Sequence, residues 1–538
     1  MKNNTVTDEI LKITSLLRTC VDTENIALAI YLLGEVQKEC PETHNTSLLC
    51  SKMWNILNTL GMSSPFKNDN VFLELCEFLT VNVDYELMMY ICRQKLSRSS
   101  GQWNMITALA EEFLKNIKEG GASLLISEGD KFFPYLKKIV ETKKYNEYTI
   151  TVEKVFEYEI IKKIFEKYSN VKVLKTSIYE YEFSNKKFDT ILSIPDMGRR
   201  LQYNSRTSFL CKETDLAATE NLLLHLSDTG TLVTVLPSRI TFSGGNVRKF
   251  REFIKDSYSL REINELPTGI LTNISIKTVM LIISTGKTDD IVVKKYIFSN
   301  DTKQNRLSDS LELKVDDEVL VMKDELEEQD DWNIERFFSS HDEDWNKYQS
   351  SMIKKVPLYE VAEIYRGKAV TQKDPNGSIG VINISDLLQY DIDYSNLDHF
   401  DETERKISNY LLYSGDVLLT ARGTAIRSAL FRKQPYPCIA SANLIVIRPK
   451  PNKLSSTYLK LFLDSAIGKK LIKTMQQGTV VMNLNAKDLE NVEIPYLPYD
   501  EQKKVEEKYC KGLQKYQQAI KIAEKEWQNT IIELEQNF

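Results

Sequence analysis

Few of the 538 residues fall at spacings that do chemistry. The four histidines, His44, His225, His341 and His399, are scattered, and none sits at a metal-ligand spacing. The eight cysteines, Cys20, Cys40, Cys50, Cys76, Cys92, Cys211, Cys438 and Cys510, lack the close pairs of a zinc ribbon or a disulfide framework. They read as reduced thiols used as small hydrophobes, so no metal is expected. No Walker-type phosphate loop is present. Pro195-Asp196 would suit a metal-dependent nuclease only with a second acidic strand ending in lysine, and Glu252-Phe253-Ile254-Lys255 has the wrong spacing and a helical setting. Two groups remain. The first is polar and follows short apolar runs: Glu128 and Gly129, then Glu153, then Ser193, Ile194, Pro195 and Asp196. The second is cationic: Arg366, Lys368 and Lys373 flank Gly367, while Arg422, Arg427, Arg432 and Lys433 follow Val417–Thr420. Arginine forks suit phosphates and guanine edges, and lysines supply point charge.

The first group needs strands to hold it. Residues 1–115 repeat apolar positions every three or four residues and read as a helical domain. Over residues 116–300, strands Ala122–Ile126, Tyr148–Val152, Val171–Leu174, Phe188–Ile194, Thr231–Leu236, Arg261–Leu266 and Thr278–Ser284 alternate with helices. That alternation predicts an α/β fold with a doubly wound, largely parallel sheet, whose ligands bind at strand C-terminal ends. Residues 301–350 are strongly acidic and read as a solvated linker. The cationic group lies in residues 351–500, turn-rich and strand-rich, which predicts an α+β domain. Residues 501–538 form one long amphipathic helix whose apolar stripe calls for a partner helix.

Composition narrows the class. With 42% hydrophobic and 27% charged residues the chain is an ordinary globular one. No apolar run approaches the ~20 residues of a membrane span, so a cytoplasmic location is expected. The net charge of −6 argues against nucleic acid only as an average. From residue 351 onward there are 26 Lys and Arg against 23 Asp and Glu.

The strand-end residues carry a family likeness. Residues of about 95–285 resemble the adenine-N6 DNA methyltransferase subunit of type I restriction-modification systems. That family reads Gly-x-x-x-Thr-Pro where this chain has Gly101-Gln102-Trp103-Asn104-Met105-Ile106. Its first strand ends in Asp-Pro-Ala-Cys-Gly-Ser-Gly, where this chain has Ile126-Ser127-Glu128-Gly129-Asp130. Glu153 matches the acidic residue that binds the cofactor ribose. The catalytic Asn-Pro-Pro-Phe is Ser193-Ile194-Pro195-Asp196 after an intact Phe188-Asp189 strand, so the amide, one proline and the base-stacking ring are missing. Gly230–Pro237 and Leu266–Leu271 keep the family's later strands and turns. Three altered elements of one pocket beside preserved packing strands imply a methyltransferase-like domain that has lost its chemistry and needs no cofactor. An active enzyme using S-adenosylmethionine, with Asp196 or Ser193 in place of the amide, is the alternative.

Residues 351–538 resemble one half of a type I specificity subunit, a target-recognition domain followed by a spacer helix. The ordered matches are Pro357–Gly367, Tyr413-Ser414-Gly415-Asp416-Val417-Leu418 and its continuation to Thr424, then Gln477–Asn485 and Pro498–Gln502. The resemblance implies sequence-specific binding of double-stranded DNA in a restriction-modification or antiphage defence system. Half a specificity subunit further implies pairing, as a homodimer or with a related chain, and presentation of DNA to a restriction or effector subunit. Arg199, Arg200, Arg206 and Arg248 are candidates for added backbone contacts. A protein-interaction scaffold without DNA binding is the other alternative.

Overall fold

The computed structural model describes residues 12–41, 45–79, 81, 84–86, 105–133, 135–181, 183–201, 209–272, 274–299, 311–388, 391–423, 425–476 and 483–535. Its contacts divide into an N-terminal unit, Met1–Ile334, and a C-terminal unit, Glu335–Phe538.

In the N-terminal unit a nine-stranded sheet runs in the order β3-β2-β1-β4-β5-β7-β6-β8-β9. Its strands are β1 (Gly120–Ile126), β2 (Lys144–Val152), β3 (Val171–Lys175), β4 (Phe188–Ser193), β5 (Leu226–Pro237), β6 (Ser259–Leu266), β7 (Thr278–Ser284), β8 (Asp290–Phe298) and β9 (Leu313–Met322). β3, β2, β1, β4 and β5 are mutually parallel, as are β6 and β8. β7 runs antiparallel between β5 and β6, and β9 antiparallel to β8, so the sheet is mixed. Every residue of β7 is buried, which accounts for its unbroken apolar run. Asp189 explains why Phe188-Asp189 survives: its Oδ2 accepts from the backbone of Ala122 (2.7 Å) and Ser123 (3.1 Å), and its Oδ1 from Ser227 Oγ (2.9 Å). One carboxylate thus fastens β1, β4 and β5.

Two expectations of domain organisation change. The helices α1 (Ile26–Glu39), α2 (Thr46–Leu60), α3 (Asp69–Phe78) and α4 (Thr107–Asn116) share one apolar core with the sheet. α1 is buried from Ile26 to Val36. Tyr31 meets Phe156 edge-on at 5.6 Å, and Glu35 pairs with Lys163 at 2.9 Å, both on α6 (Val155–Ile164). The acidic stretch 301–350 is also no simple linker. Residues 313–322 are the edge strand β9, with Val319 and Val321 buried, and Trp332 is wholly buried. An exposed edge tolerates Asp316, Asp317 and Glu318 because one face and one side remain in water. Also in this unit are α5 (Leu136–Thr142), α7 (Thr214–Leu224) and α8 (Asn246–Ser257).

The C-terminal unit contains a four-stranded antiparallel sheet, β11-β17-β14-β15, and a three-stranded sheet, β13-β12-β16, with the small pair β10-β18. The strands are β10 (Lys355–Pro357), β11 (Ala362–Arg366), β12 (Ile379–Ile382), β13 (Asp398–Phe400), β14 (Val417–Thr420), β15 (Ser428–Leu430), β16 (Cys438–Ala440), β17 (Leu444–Pro449) and β18 (Glu493–Pro495). β14 and β17 alternate faces: Leu419, Ile445 and Ile447 enter one core, Leu418 and Val446 the other. Helices α9 (Ser456–Asp464) and α10 (Ala466–Met475) cover the first core. α11 runs from Tyr499 to Glu535, 37 residues. Its base is held by buried Gln502, which accepts from Ser455 N (2.8 Å) and donates to Leu497 O (2.8 Å).

Candidate functional site

The switch point of a doubly wound sheet lies where strand order reverses, here between β1 and β4. The residues after these strands meet there. Glu128 has φ 50° and ψ 58°, the left-handed region that favours glycine. Its backbone N donates to Thr151 Oγ1 (3.1 Å). Gly129 follows, and a Cβ there would lie 2.3 Å from Ile150 Cγ2. The glycine is therefore needed for close approach to β2. Three residues after Glu128, Lys131 pairs with Glu128 Oε2 (2.8 Å) and donates to Asp196 Oδ1 (2.7 Å). Tyr179 Oη donates to Glu128 (3.2 Å) and accepts from Asp196 N (2.8 Å).

Charge balance follows from this geometry. Burial pushes the Glu128 carboxyl up to about 7, although Lys131 opposes the shift. Burial also works against the Asp196 carboxylate, but Lys131 and Arg199 outweigh it and hold the group below its ordinary range. Desolvation disfavours the Lys131 ammonium, yet Glu128 and Asp196 together raise it. Burial first, then the two carboxylates, raise Tyr179. The result is one ammonium clamped between two strand ends.

Of the remaining expected site residues, Arg199 alone touches the clamp among the described residues. Ser193 is buried, and its Oγ has no hydrogen-bond partner among the described residues, so it is not presented to a substrate. Ile194 is buried apolar packing. Glu153 is exposed beyond the end of β2. Arg199 lies 3.7 Å from Asp196, Arg200 3.3 Å from Glu213, and Arg248 pairs with Glu252 and Asp330, both at 2.9 Å. Arg206 and Gly101–Asn104 lie outside the described residues. Sequence reasoning missed Lys131 and Tyr179. It also missed the fork from Arg239 to buried Asp215, at 2.6 Å to each oxygen. A protein cation, Lys131, bridges the ends of β1 and β4, and residues 193–196 after the β4 core carry no side-chain amide.

The cationic group of the C-terminal unit divides by use. Arg366 donates from Nε to Ala442 O (2.7 Å) and from Nη2 to Asn483 Oδ1 (2.9 Å), which makes it a brace between turns. Burial, then nearby Arg422, lowers its pKa. Lys368 lies over the Tyr410 ring at 5.6 Å, Lys373 pairs with Asp398 at 2.6 Å, and Arg432 pairs with Asp391. Arg422, Arg427 and Lys433 are exposed, Arg427 with one bond to Leu387 O (3.2 Å). The Gly415-Asp416 turn is structural. Gly415 has φ 96°, and buried Asp416 takes a two-pronged bond from Arg448, both at 2.8 Å. Tyr413 lies 4.4 Å from the same guanidinium. Thr424 and residues 477–482 lie outside the described residues.

Known proteins resemble both parts of the chain. Residues 146–363 match the N-6 DNA methylase family model, and residues 351–531 match the type I restriction modification DNA specificity domain. The first match begins within β2, downstream of the loop with Glu128 and Lys131. A Methanocaldococcus jannaschii chain assigned as the MjaX type I restriction enzyme specificity subunit is 25% identical over 155 residues, 28% of this chain. The aligned part spans 36% of that relative. Among solved structures, the type I methyltransferase subunit from Streptococcus thermophilus is similar with 12% identity and a TM-score of 0.42, covering 62% of this chain and 99% of that one. The type IIG restriction endonuclease BpuSI is similar with 12% identity and a TM-score of 0.40, over 92% of this chain and 73% of that one.

Proposed function

We propose that this fusion of an N-6 DNA methylase domain with a type I specificity domain recognises a DNA sequence for a restriction-modification or defence complex without methylating it. The C-terminal unit does the reading. Arg422, Arg427 and Lys433 supply phosphate and base contacts from loops that Arg366 and the Asp416–Arg448 fork hold in place. Lys373 and Arg432 are a reserve, because an exposed ion pair is worth about 0–1 kcal/mol and can be exchanged for phosphate, and Lys368 joins them from its place over the Tyr410 ring. The N-terminal unit keeps the methyltransferase framework but not its reaction. A second copy or a related chain supplies the other half-site, and a partner subunit supplies the catalysis.

The observation that carries the reading is Lys131. Its ammonium joins Glu128 to Asp196 at the place where a methyltransferase must admit its cofactor and the target amine. Calorimetric titration of the full chain with S-adenosylmethionine is expected to show no binding at micromolar concentration. Methyl transfer to DNA would falsify the reading. For recognition, the double variant Arg422→Glu/Arg427→Glu is expected to weaken cognate binding about 100-fold in footprinting. It should also reduce the salt slope of log K by about 2, since each lost phosphate contact removes about one released counterion. Unchanged binding would move the DNA face elsewhere.

A further inference from the structure

Two arginines of the C-terminal unit each stand directly before a glycine, Arg366-Gly367 and Arg422-Gly423. The first closes β11 and the second follows β14 by two residues. Both strands run antiparallel to β17, so they point the same way and end on either side of Leu444, with backbones ~10 Å apart. Each glycine fixes the course of its arginine. A Cβ on Gly367 would lie 2.2 Å from Ser441 O, so the chain after Arg366 lies directly against residues 440 and 441. Gly423 has φ 96°, a value that glycine adopts without strain. Asn483 draws the two arginines together. It is bridged in antiparallel fashion to Arg422, which sends both side chains to one face with Cβ atoms ~5 Å apart. Its Oδ1 accepts from Arg366 Nη2 at 2.9 Å. Among the described residues no carboxylate pairs with either guanidinium, whereas Arg448 has Asp416 and Arg432 has Asp391. Burial and then the Arg422 charge work against the Arg366 guanidinium, and no carboxylate offsets them.

We infer that Arg366 and Arg422 together seat one phosphate of a bound DNA strand, with Asn483 as the residue that positions them. This rests on the DNA reading in the proposed function and goes beyond it by giving Arg366 a ligand as well as its bracing bonds. Two like charges held side by side without a counter-charge are costly, and an anion between them removes the cost. Guanidinium forks suit the two free oxygens of a phosphodiester, which they meet at ~2.7–2.9 Å. Arg366 spends Nε on Ala442 O and Nη2 on Asn483, which leaves Nη1 without a partner among the described residues. Arg422 is exposed and offers its whole fork. Arg427 is tied to the strand that leads to this seat, since Thr420 N donates to Arg427 O at 3.0 Å and Thr420 Oγ1 accepts from Arg427 N at 3.1 Å. A phosphate held by Arg366 and Arg422 thus sets where Arg427 stands along the groove. Phosphate contacts fix register and carry no sequence information, so the seat acts on every duplex alike.

The test compares the full chain with Asn483→Asp, Arg422→Gln and the double variant. The probes are a duplex enriched from a random-sequence pool by the wild-type chain, a scrambled duplex of equal length, and pyrophosphate. Asn483→Asp keeps an acceptor for Arg366 but lays a carboxylate in the seat. It is expected to hold or raise the urea midpoint while weakening both duplexes by the same factor, about 10-fold. The salt slope of log K should fall by about 1. Arg422→Gln should do the same, and the double variant should lose no more than the stronger single one, because both act on one phosphate. Wild-type duplex binding by Asn483→Asp, or losses that multiply in the double variant, overturns the seat and leaves DNA recognition standing. If Asn483→Asp lowers the urea midpoint, Arg422→Gln decides, and an unchanged slope overturns the seat. A wild-type chain that binds neither duplex, yet binds pyrophosphate in a way both variants abolish, keeps the seat and sinks the recognition reading. Binding of no probe sinks both.

Discussion

Lys131 and its two carboxylates give the N-terminal unit one pH-dependent contribution. Glu128 titrates near 7 in the folded chain and near 4.5 when unfolded, so the folded state holds an extra proton between those values. Its contribution to stability is present below about pH 4.5 and is lost as pH rises through 7. Glu128→Gln is therefore expected to gain about 2 kcal/mol on wild type between pH 5 and 8, read by urea unfolding at each pH. A constant difference would show that the carboxyl is not displaced. In the C-terminal unit, Arg448→Met leaves buried Asp416 without its fork and is expected to cost about 3 kcal/mol. The loss of Asn-Pro-Pro-Phe was legible in the sequence, because the missing groups are named by their positions. The clamp that stands in its place was not. Asp196 is 65 residues from Lys131, and only strand order brings the two together. The bracing bonds of Arg366 were hidden for a related reason. Its charge is visible in the sequence, but its partners Ala442 and Asn483 lie 76 and 117 residues away.

At the scale of elements, period and punctuation marked most strands to within a few residues, and β14 and β7 coincide with their expected ranges. α11, too, follows from its periodicity and from Pro498 before it. The misses cluster where charge disguised a strand. β9 carries Asp316, Asp317 and Glu318, a composition that reads as linker, yet its alternation from Val319 to Val321 faces the core. Val321→Asp is accordingly expected to destabilise the unit by about 3 kcal/mol or more, through burial of a charge without a partner. If residues 301–350 were a linker, the urea midpoint would not move. The antiparallel placement of β7 was equally hidden, because a fully buried run looks the same in either direction.

For the whole molecule, the overall charge of −6 hides an uneven distribution, with acid gathered on β9 and the short helices Lys323–Glu327 and Glu343–Gln349 that follow it. DNA binding is expected to fall steeply with salt despite that average, since local phosphate contacts set the slope. Heating with and without S-adenosylmethionine gives an independent check. A ligand at 100 times its dissociation constant stabilises by about 2.7 kcal/mol, so an unchanged melting temperature at millimolar ligand is the expected outcome. That a methylase-like part precedes a specificity-like part was legible from ordered motifs, although no single motif was specific.

The clamp at the switch point also behaves as a ligand that never leaves. A small molecule occupies its site in proportion to its concentration in the surroundings. Lys131 is tethered by four methylenes to a backbone that the sheet already fixes, so its effective concentration is set by the tether and does not vary. Any diffusing cation must displace a competitor that cannot be diluted. Closure between β1 and β4 is in that sense set by the tether and not by supply.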